Sequence, residues 1–349
     1  MTTPDPSTPH HLYGKPILDE VKQHLQRYAP QLAGRRVVIV RFEAAPGDPL
    51  EWQQRMAASA ISALQKVRTS TSIGYQPQEI TLPGDVREAD LRRLLVNASQ
   101  ADDVSAVIVQ FPPPPRLRDA VQDIEPSRDI DALLGPRSPH RACATADGVA
   151  RLVAGHARPN DIVAVVGARG FVGSGVVRLL QDQGLDPIAL DAGDDLAQLR
   201  RADVIVSATG RAGVLRPEHL EHRPYLVVDT GFVPGPPGFS PLTARGDVDP
   251  DAAHLPQRLT PVPGGVGPVE MAVLLERLVR RDVDPTLQPW RLVPGQGRSV
   301  HFSHAPVRET LNPGHRTVRS LDLGGQRPRR ERHGLLALGA SAWGETETI

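Results

Sequence analysis

Cysteine occurs once in 349 residues, at Cys143. That excludes an internal disulfide framework and any cysteine-built metal cluster. Net charge is missing too: forty basic and forty acidic side chains cancel. No global attraction to nucleic acid or to a membrane surface is therefore expected. No apolar run approaches the roughly 18 residues of a membrane-spanning helix. Met1 to His11 is polar and proline-rich with no apolar core, so no secretory signal is visible and a reduced cytoplasm is the expectation. The histidines show no ligand spacing such as H-E-x-x-H, which argues against a metal site. Lysine is the scarcest charge. Only Lys15, Lys22 and Lys66 stand against thirty-seven arginines. Where a permanent positive charge suffices this chain uses arginine, so a lysine points to the property arginine lacks, a releasable proton.

What is present suits a two-domain α/β protein. The length predicts two domains, and 40% apolar residues can fill sizeable cores. Helical spacing runs over Ile17 to Leu32, Leu50 to Ser70 and Asp85 to Ala98, alternating with strand-like runs at Arg36 to Phe42, Gln78 to Leu82 and Val104 to Phe111. Four prolines, Pro112 to Pro115, must then leave the sheet. The alternation resumes with a helix over Ala146 to His156, strands at Ile162–Val166, Pro187–Leu190, Asp203–Ala208 and Tyr225–Asp229, and a last helix over Val269 to Arg281. Two three-layer α/β domains with a cleft between them are predicted, the second a Rossmann-like doubly wound parallel sheet. The expected boundaries are 1–150 for the first, with helix 269–283 packing back onto it, and 151–268 for the second. Residues 284–349, rich in Arg, Pro and Gly with the cluster Arg327 to Arg330, read as a loosely packed basic extension.

The strand at 162–166 runs into Gly167-Ala168-Arg169-Gly170-Phe171-Val172-Gly173 and then a helix. Such a turn lets backbone N–H groups and a helix N-terminus approach a pyrophosphate. Asp191, 18 residues beyond Gly173, stands where an acid would meet an adenosine ribose. A carboxylate there favours NAD, because it repels a 2′-phosphate; Arg169 pulls toward NADP, which stays open.

Several segments together resemble the bifunctional methylenetetrahydrofolate dehydrogenase/cyclohydrolase family. Val109-Gln110-Phe111-Pro112-Pro113-Pro114 is similar to its V-Q-L-P-L-P, and Pro126-Ser127-Arg128-Asp129-Ile130-Asp131 to its P-x-K-D-V-D. Thr260 to Pro268 matches its T-P-V-P-G-G-V-G-P residue for residue, and Val228 to Gly231 and Gly246-Asp247-Val248 fall in order. Aligned with the family's S-x-x-Y-x-x-x-K helix, Ser59, Ser62 and Lys66 take the serine, tyrosine and lysine positions, on one helix face. The resemblance implies oxidation of 5,10-methylenetetrahydrofolate by hydride transfer to NAD(P), hydrolysis of the methenyl product to 10-formyltetrahydrofolate, and a homodimer.

By that resemblance Lys66, Gln110 and Asp131 are the catalytic set. Lys66, its pKa shifted toward neutrality, moves protons during ring opening. Gln110 orients the lysine and the folate, and Asp131 accepts from the pterin N–H groups. Ser59, Ser62, Pro261, Pro263, Gly264 and Gly265 would line the folate. The cofactor set is Gly167, Ala168, Arg169, Gly170, Val172, Gly173, Asp191, Thr209 and Gly231. Asp129 reads as structural, capping or pairing with Arg128, and Cys143 as a packing residue.

The sequence also departs from the family. Ser62 replaces a tyrosine, Ala132-Leu133 a Gly-Phe, Arg169 a serine and Gly175 a proline. Asp191 to Asp194 replaces a His-Ser segment, and Val269-Glu270 stands where Met-Thr is usual. These changes fit a paralogue for a specialised pathway. A dehydrogenase without ring opening and a non-catalytic nucleotide- or partner-binding module are the alternatives.

Overall fold

The computed structural model describes residues 10–235, 243–293 and 300–302. In chain order the elements are β1 (His10–His11), α1 (Lys15–Leu25), α2 (Ala29–Leu32), β2 (Arg36–Glu43), α3 (Leu50–Thr71), β3 (Gln76–Pro83), α4 (Glu88–Gln100), β4 (Val104–Val109) and α5 (Ala144–His156). Then come β5 (Val163–Val166), α6 (Phe171–Asp182), β6 (Ile188–Leu190), β7 (Val204–Ser207), α7 (Pro217–Leu220), β8 (Leu226–Asp229), β9 (Arg258–Leu259), α8 (Val266–Asp282), β10 (Arg291–Leu292) and β11 (Val300–His301).

The first sheet is parallel, in the order β3-β2-β4. Its central strand is apolar on both faces because both are covered. Val37 and Ile39 join one core with Ala63 of α3, and Val38, Val40 and Phe42 join another with Leu91 and Leu95 of α4. The second sheet, all parallel, runs β1-β9-β8-β7-β5-β6. The next two strands of the chain, β6 and β7, lie on either side of β5, so the strand order reverses there, the place where open α/β sheets bind ligands. One face packs Val163, Val165, Val204 and Val206 against α5 and α6; the other packs Ala164, Val166 and Ile205 against Leu199, Leu215 and Leu220. That second face is covered by a 3-10 segment, Leu196–Arg201, and the one-turn helix α7. The α/β architecture is thus as expected. Helices α1, α5 and α8 join a single core that reaches both sheets.

Two features have no mark in the sequence. His10 and His11 add a strand beside β9, so the segment preceding α1 extends the second sheet. The extension also begins to pack before it ends: Trp290 is fully buried and Leu287, Leu292 and Phe302 are buried. A Pro- and Arg-rich stretch hid this because single anchoring side chains leave no periodicity. Arg327 to Arg330 lies outside the described residues.

A buried ionic network ties α8 to α5. Arg151 donates to Glu276 (2.6 Å) and Asp147 (2.8 Å), and the backbone N–H of Trp290 donates to Glu276 (2.7 Å). Arg277 donates to Asp147 (3.0 Å) and to the carbonyls of Ile130 (2.8 Å) and Ala142 (2.9 Å). Burial alone would raise the Asp147 carboxyl, but Arg151 and Arg277 hold it well below the usual carboxylate range. A carboxyl with a depressed folded pKa stabilises above its unfolded value, about 4, and loses that contribution as pH falls toward the folded value. Asp147→Asn is expected to cost about 3 kcal/mol at pH 7 and to flatten the fall in stability below pH 4. Urea unfolding of both proteins at several pH values checks this, and an unchanged acid slope would refute the linkage.

Candidate active site

The glycine turn follows β5 at the reversal of strand order. Gly167 has φ +81°, and a Cβ on it would lie 2.6 Å from the Ala208 carbonyl oxygen. The N–H groups of Gly167 and Ala168 donate to Leu190 O. Helix α6 opens at Phe171, so the N–H groups of its first turn, Val172 and Gly173 among them, have no acceptor within the helix. A Cβ on Gly173 would overlap the Gly167 carbonyl oxygen, so turn and helix approach as only glycine permits. These features fit a dinucleotide pyrophosphate. Gly173→Ala should push helix and turn apart and weaken nicotinamide nucleotide binding at least tenfold, measurable by quenching of protein fluorescence; wild-type affinity would contradict the cradle.

Asp191 lies just past β6. Its carboxylate accepts from the Arg169 N–H (2.6 Å) and the Ala192 N–H (2.8 Å). The Arg169 guanidinium is exposed, 3.8 Å from Asp194 Oδ2. The turns after β7 and β8 are fixed by a buried acidic pair whose role the motifs alone did not disclose. Asp247 accepts from Ser207 Oγ (2.7 Å) and Thr209 N–H (2.7 Å); Asp229 accepts from the N–H groups of Gly231 (2.8 Å), Asp247 and Val248. A Cβ on Gly231 would overlap Asp247, which leaves that turn pressed against the pair.

Helix α3 differs from the other helices in what it buries. Alongside Met56 and Ala63 its inner stripe is Ser59, Lys66, Thr69 and Ser70. A small and polar stripe makes a poor core. Lys66, 5% exposed, donates from Nζ to Ser62 Oγ (2.9 Å) and to Glu270 Oε1 (2.6 Å) on α8. The expected shift toward neutrality is overturned. Burial favours the free amine, but Glu270 and then Asp131 outweigh it and raise the lysine above its ordinary value. The Asp131 carboxyl is pushed up to about 6, by burial foremost, with Lys66 pulling it down and Glu270 pushing it up. It accepts from the Ala144 N–H (2.8 Å). Glu270 completes this cluster; its departure from the family pattern is the signal the sequence carries for it.

Gln110 does not reach the lysine as expected. Its Nε2 donates to the Ser59 carbonyl on α3 (3.3 Å), seven residues and so about two turns before Lys66. Asp129 is fully buried and accepts from the N–H groups of Asp131, Leu133 and Leu134. It shapes the loop bearing Asp131 and does not pair with Arg128, whose guanidinium donates to the carbonyls of Ser99 and Ala101. Cys143 is buried, and burial raises its thiol above the ordinary range.

Pro261 to Gly265 joins β9 to α8 through a cis Val262–Pro263 bond, with Gly264 at φ +103°. The Gly264 carbonyl accepts from the Gly14 N–H (2.9 Å), and a Cβ on Gly265 would lie 2.7 Å from Pro261 O. This run leads straight into the helix turn carrying Glu270. Phe111 stacks on Phe171 of the glycine turn, with centroids 4.4 Å apart, so the end of the first sheet touches the nucleotide turn.

The NAD(P)-binding domain of tetrahydrofolate dehydrogenase/cyclohydrolase matches residues 143–283. The chain is 33% identical over 282 residues to the bifunctional protein FolD 1 of Pseudomonas putida, covering 75% of this chain and 93% of that protein. It is 32% identical over 235 residues to the bifunctional protein FolD of Thermus thermophilus, covering 62% and 80%. A methylenetetrahydrofolate dehydrogenase-cyclohydrolase of Trypanosoma brucei, solved with NADP and an inhibitor, shares the fold: TM-score 0.66 at 23% identity, over 78% of this chain and 97% of that one.

Proposed function

The chain belongs to the tetrahydrofolate dehydrogenase/cyclohydrolase family, and on that premise we propose that it oxidises 5,10-methylenetetrahydrofolate to the methenyl compound and hydrolyses this to 10-formyltetrahydrofolate. The observation that carries the reading is Lys66: in a chain nearly without lysine, one is buried among Ser62, Asp131 and Glu270. In this reading residues 1–150 and α8 bind folate, and residues 151–268 bind the nucleotide. The working assembly is a cytoplasmic homodimer.

A nicotinamide cofactor, when bound, supplies the hydride acceptor. The glycine turn from Gly167 to Gly173 would hold its pyrophosphate, with Thr209 and Gly231 on the neighbouring strand ends. Asp191 and Asp194 make that pocket acidic, which supports NAD over NADP. The oxidation asks little acid–base chemistry of the protein; holding the folate still is most of the work. Asp131 orients it by accepting pterin N–H groups, and Ser59, Ser62 and Pro261 to Gly265 line it. Gln110 acts through the α3 backbone at Ser59. For ring opening, Lys66 Nζ in its free-amine form takes a proton from the water that adds to the methenyl carbon. It returns that proton to the folate nitrogen as the carbon–nitrogen bond breaks, and the adduct's hydroxyl gives its remaining proton to solvent as it becomes the formyl carbonyl. A cationic methenyl compound beside Nζ favours the amine's deprotonation.

Formation of reduced nicotinamide from methylenetetrahydrofolate, compared between NAD and NADP, tests the reading. Faster turnover with NAD is expected. Preference for NADP would reverse the cofactor assignment, and no reduction with either would overturn the function.

A further inference from the structure

Lys66 hydrogen-bonds Ser62 on its own helix and Glu270 on α8, and Asp131 from the loop after β4 and Cys143 from the turn before α5 act on it through space. The remaining lining that other elements give its surroundings is apolar, with Val37 on β2, Ile108 on β4 and Met271 and Leu274 on α8. Arg277, farther along α8, acts on Asp131 and Cys143. Cys143 stays a neutral thiol, and Asp131 gives one oxygen to the Ala144 N–H. Among the described residues, Glu270 alone both hydrogen-bonds Nζ and bears a carboxylate. The side chains of Lys66 and Glu270 are 4% and 14% exposed, so water screens their attraction little. Ser62 cannot take Glu270's place, because a hydroxyl carries no charge.

We propose that Glu270 sets the balance between the two halves of the reaction. Its carboxylate holds Lys66 as an ammonium at neutral pH, so ring opening waits for higher pH and the methenyl compound leaves as a product. Glu270 is thus a positioning residue acting through Lys66. The inference rests on the function proposed above. It follows from linkage: a carboxylate in contact with the ammonium favours the charged form, and only the free amine can take a proton from water.

The test supplies the methenyl compound to the full chain and records its hydrolysis against pH for wild type, Glu270→Thr and Glu270→Asp, with dehydrogenation measured in the same preparations. Wild-type hydrolysis should climb with pH through and above neutrality. Glu270→Thr should move that climb down by about one pH unit or more, so hydrolysis at pH 7 rises about tenfold. Glu270→Asp, which restores a carboxylate, should return the profile toward wild type. Glu270→Gln serves if the threonine variant does not fold. A profile that does not move, or hydrolysis that falls in Glu270→Thr without a displaced profile, overturns the inference. Dehydrogenation by wild type separates that outcome from failure of the function itself, in which no nicotinamide is reduced.

Discussion

Lys66→Arg is expected to lower hydrolysis of the methenyl compound by at least about 100-fold, the scale on which a positioned acid–base group contributes. Dehydrogenation should persist at a measurable rate. Arginine keeps the positive charge beside Glu270 Oε1 and Ser62 Oγ, yet it does not release a proton in a protein. The variant therefore separates charge from proton transfer. Lys66→Met should lose hydrolysis equally. It should also lose about 3 kcal/mol of stability, because Glu270 would be left without its partner. Rates of both half-reactions, measured at the pH where wild-type hydrolysis is fastest, check the first claim. Urea midpoints check the second. Hydrolysis unchanged in Lys66→Arg would remove the amine from the mechanism.

Arg277→Met should cost about 3–5 kcal/mol of stability and raise the folate KM. The guanidinium is 3% exposed and binds the carbonyls of Ile130 and Ala142 together with Asp147. Ile130 precedes Asp131, and Ala142 lies two residues before Ala144, whose N–H holds the Asp131 carboxylate. One side chain thus clamps both segments that aim the pterin-binding acid. Without it two buried carbonyls lose their donor, and Asp147 keeps only Arg151 as a cation. Chemical unfolding measures the first effect and steady-state kinetics the second. A loss under 1 kcal/mol with an unchanged KM would show that Asp131 is held without Arg277.

What could be read from the sequence depended on how far each signal reached along the chain. The β-branched runs of β2, β4, β5 and β7 announced themselves because both sheet faces are covered and most of their positions are apolar. The glycine turn was legible because strand, turn and helix are contiguous. Lys66 stood out through the scarcity of lysine and through its helix neighbours Ser59 and Ser62. Its charge state did not, since that depends on Glu270, 204 residues away. Gln110 sat beside the lysine in the motif order but meets the α3 backbone in space. Strands β1 and β9 are two residues each, too short to carry a period. Trp290 anchors its segment by one fully buried ring with the Arg151 guanidinium 4.7 Å from its centroid, a contact no local pattern encodes.

Hydride transfer from the one-carbon unit is the step on which the rest depends, and isotopic labelling follows it directly. Methylenetetrahydrofolate deuterated at the methylene carbon is mixed with the protein and NAD, and the reduced nucleotide is weighed by mass spectrometry. Transfer from that carbon places one deuterium on the reduced nicotinamide. Reduced nicotinamide without deuterium, or none formed while the nucleotide binds, would contradict it.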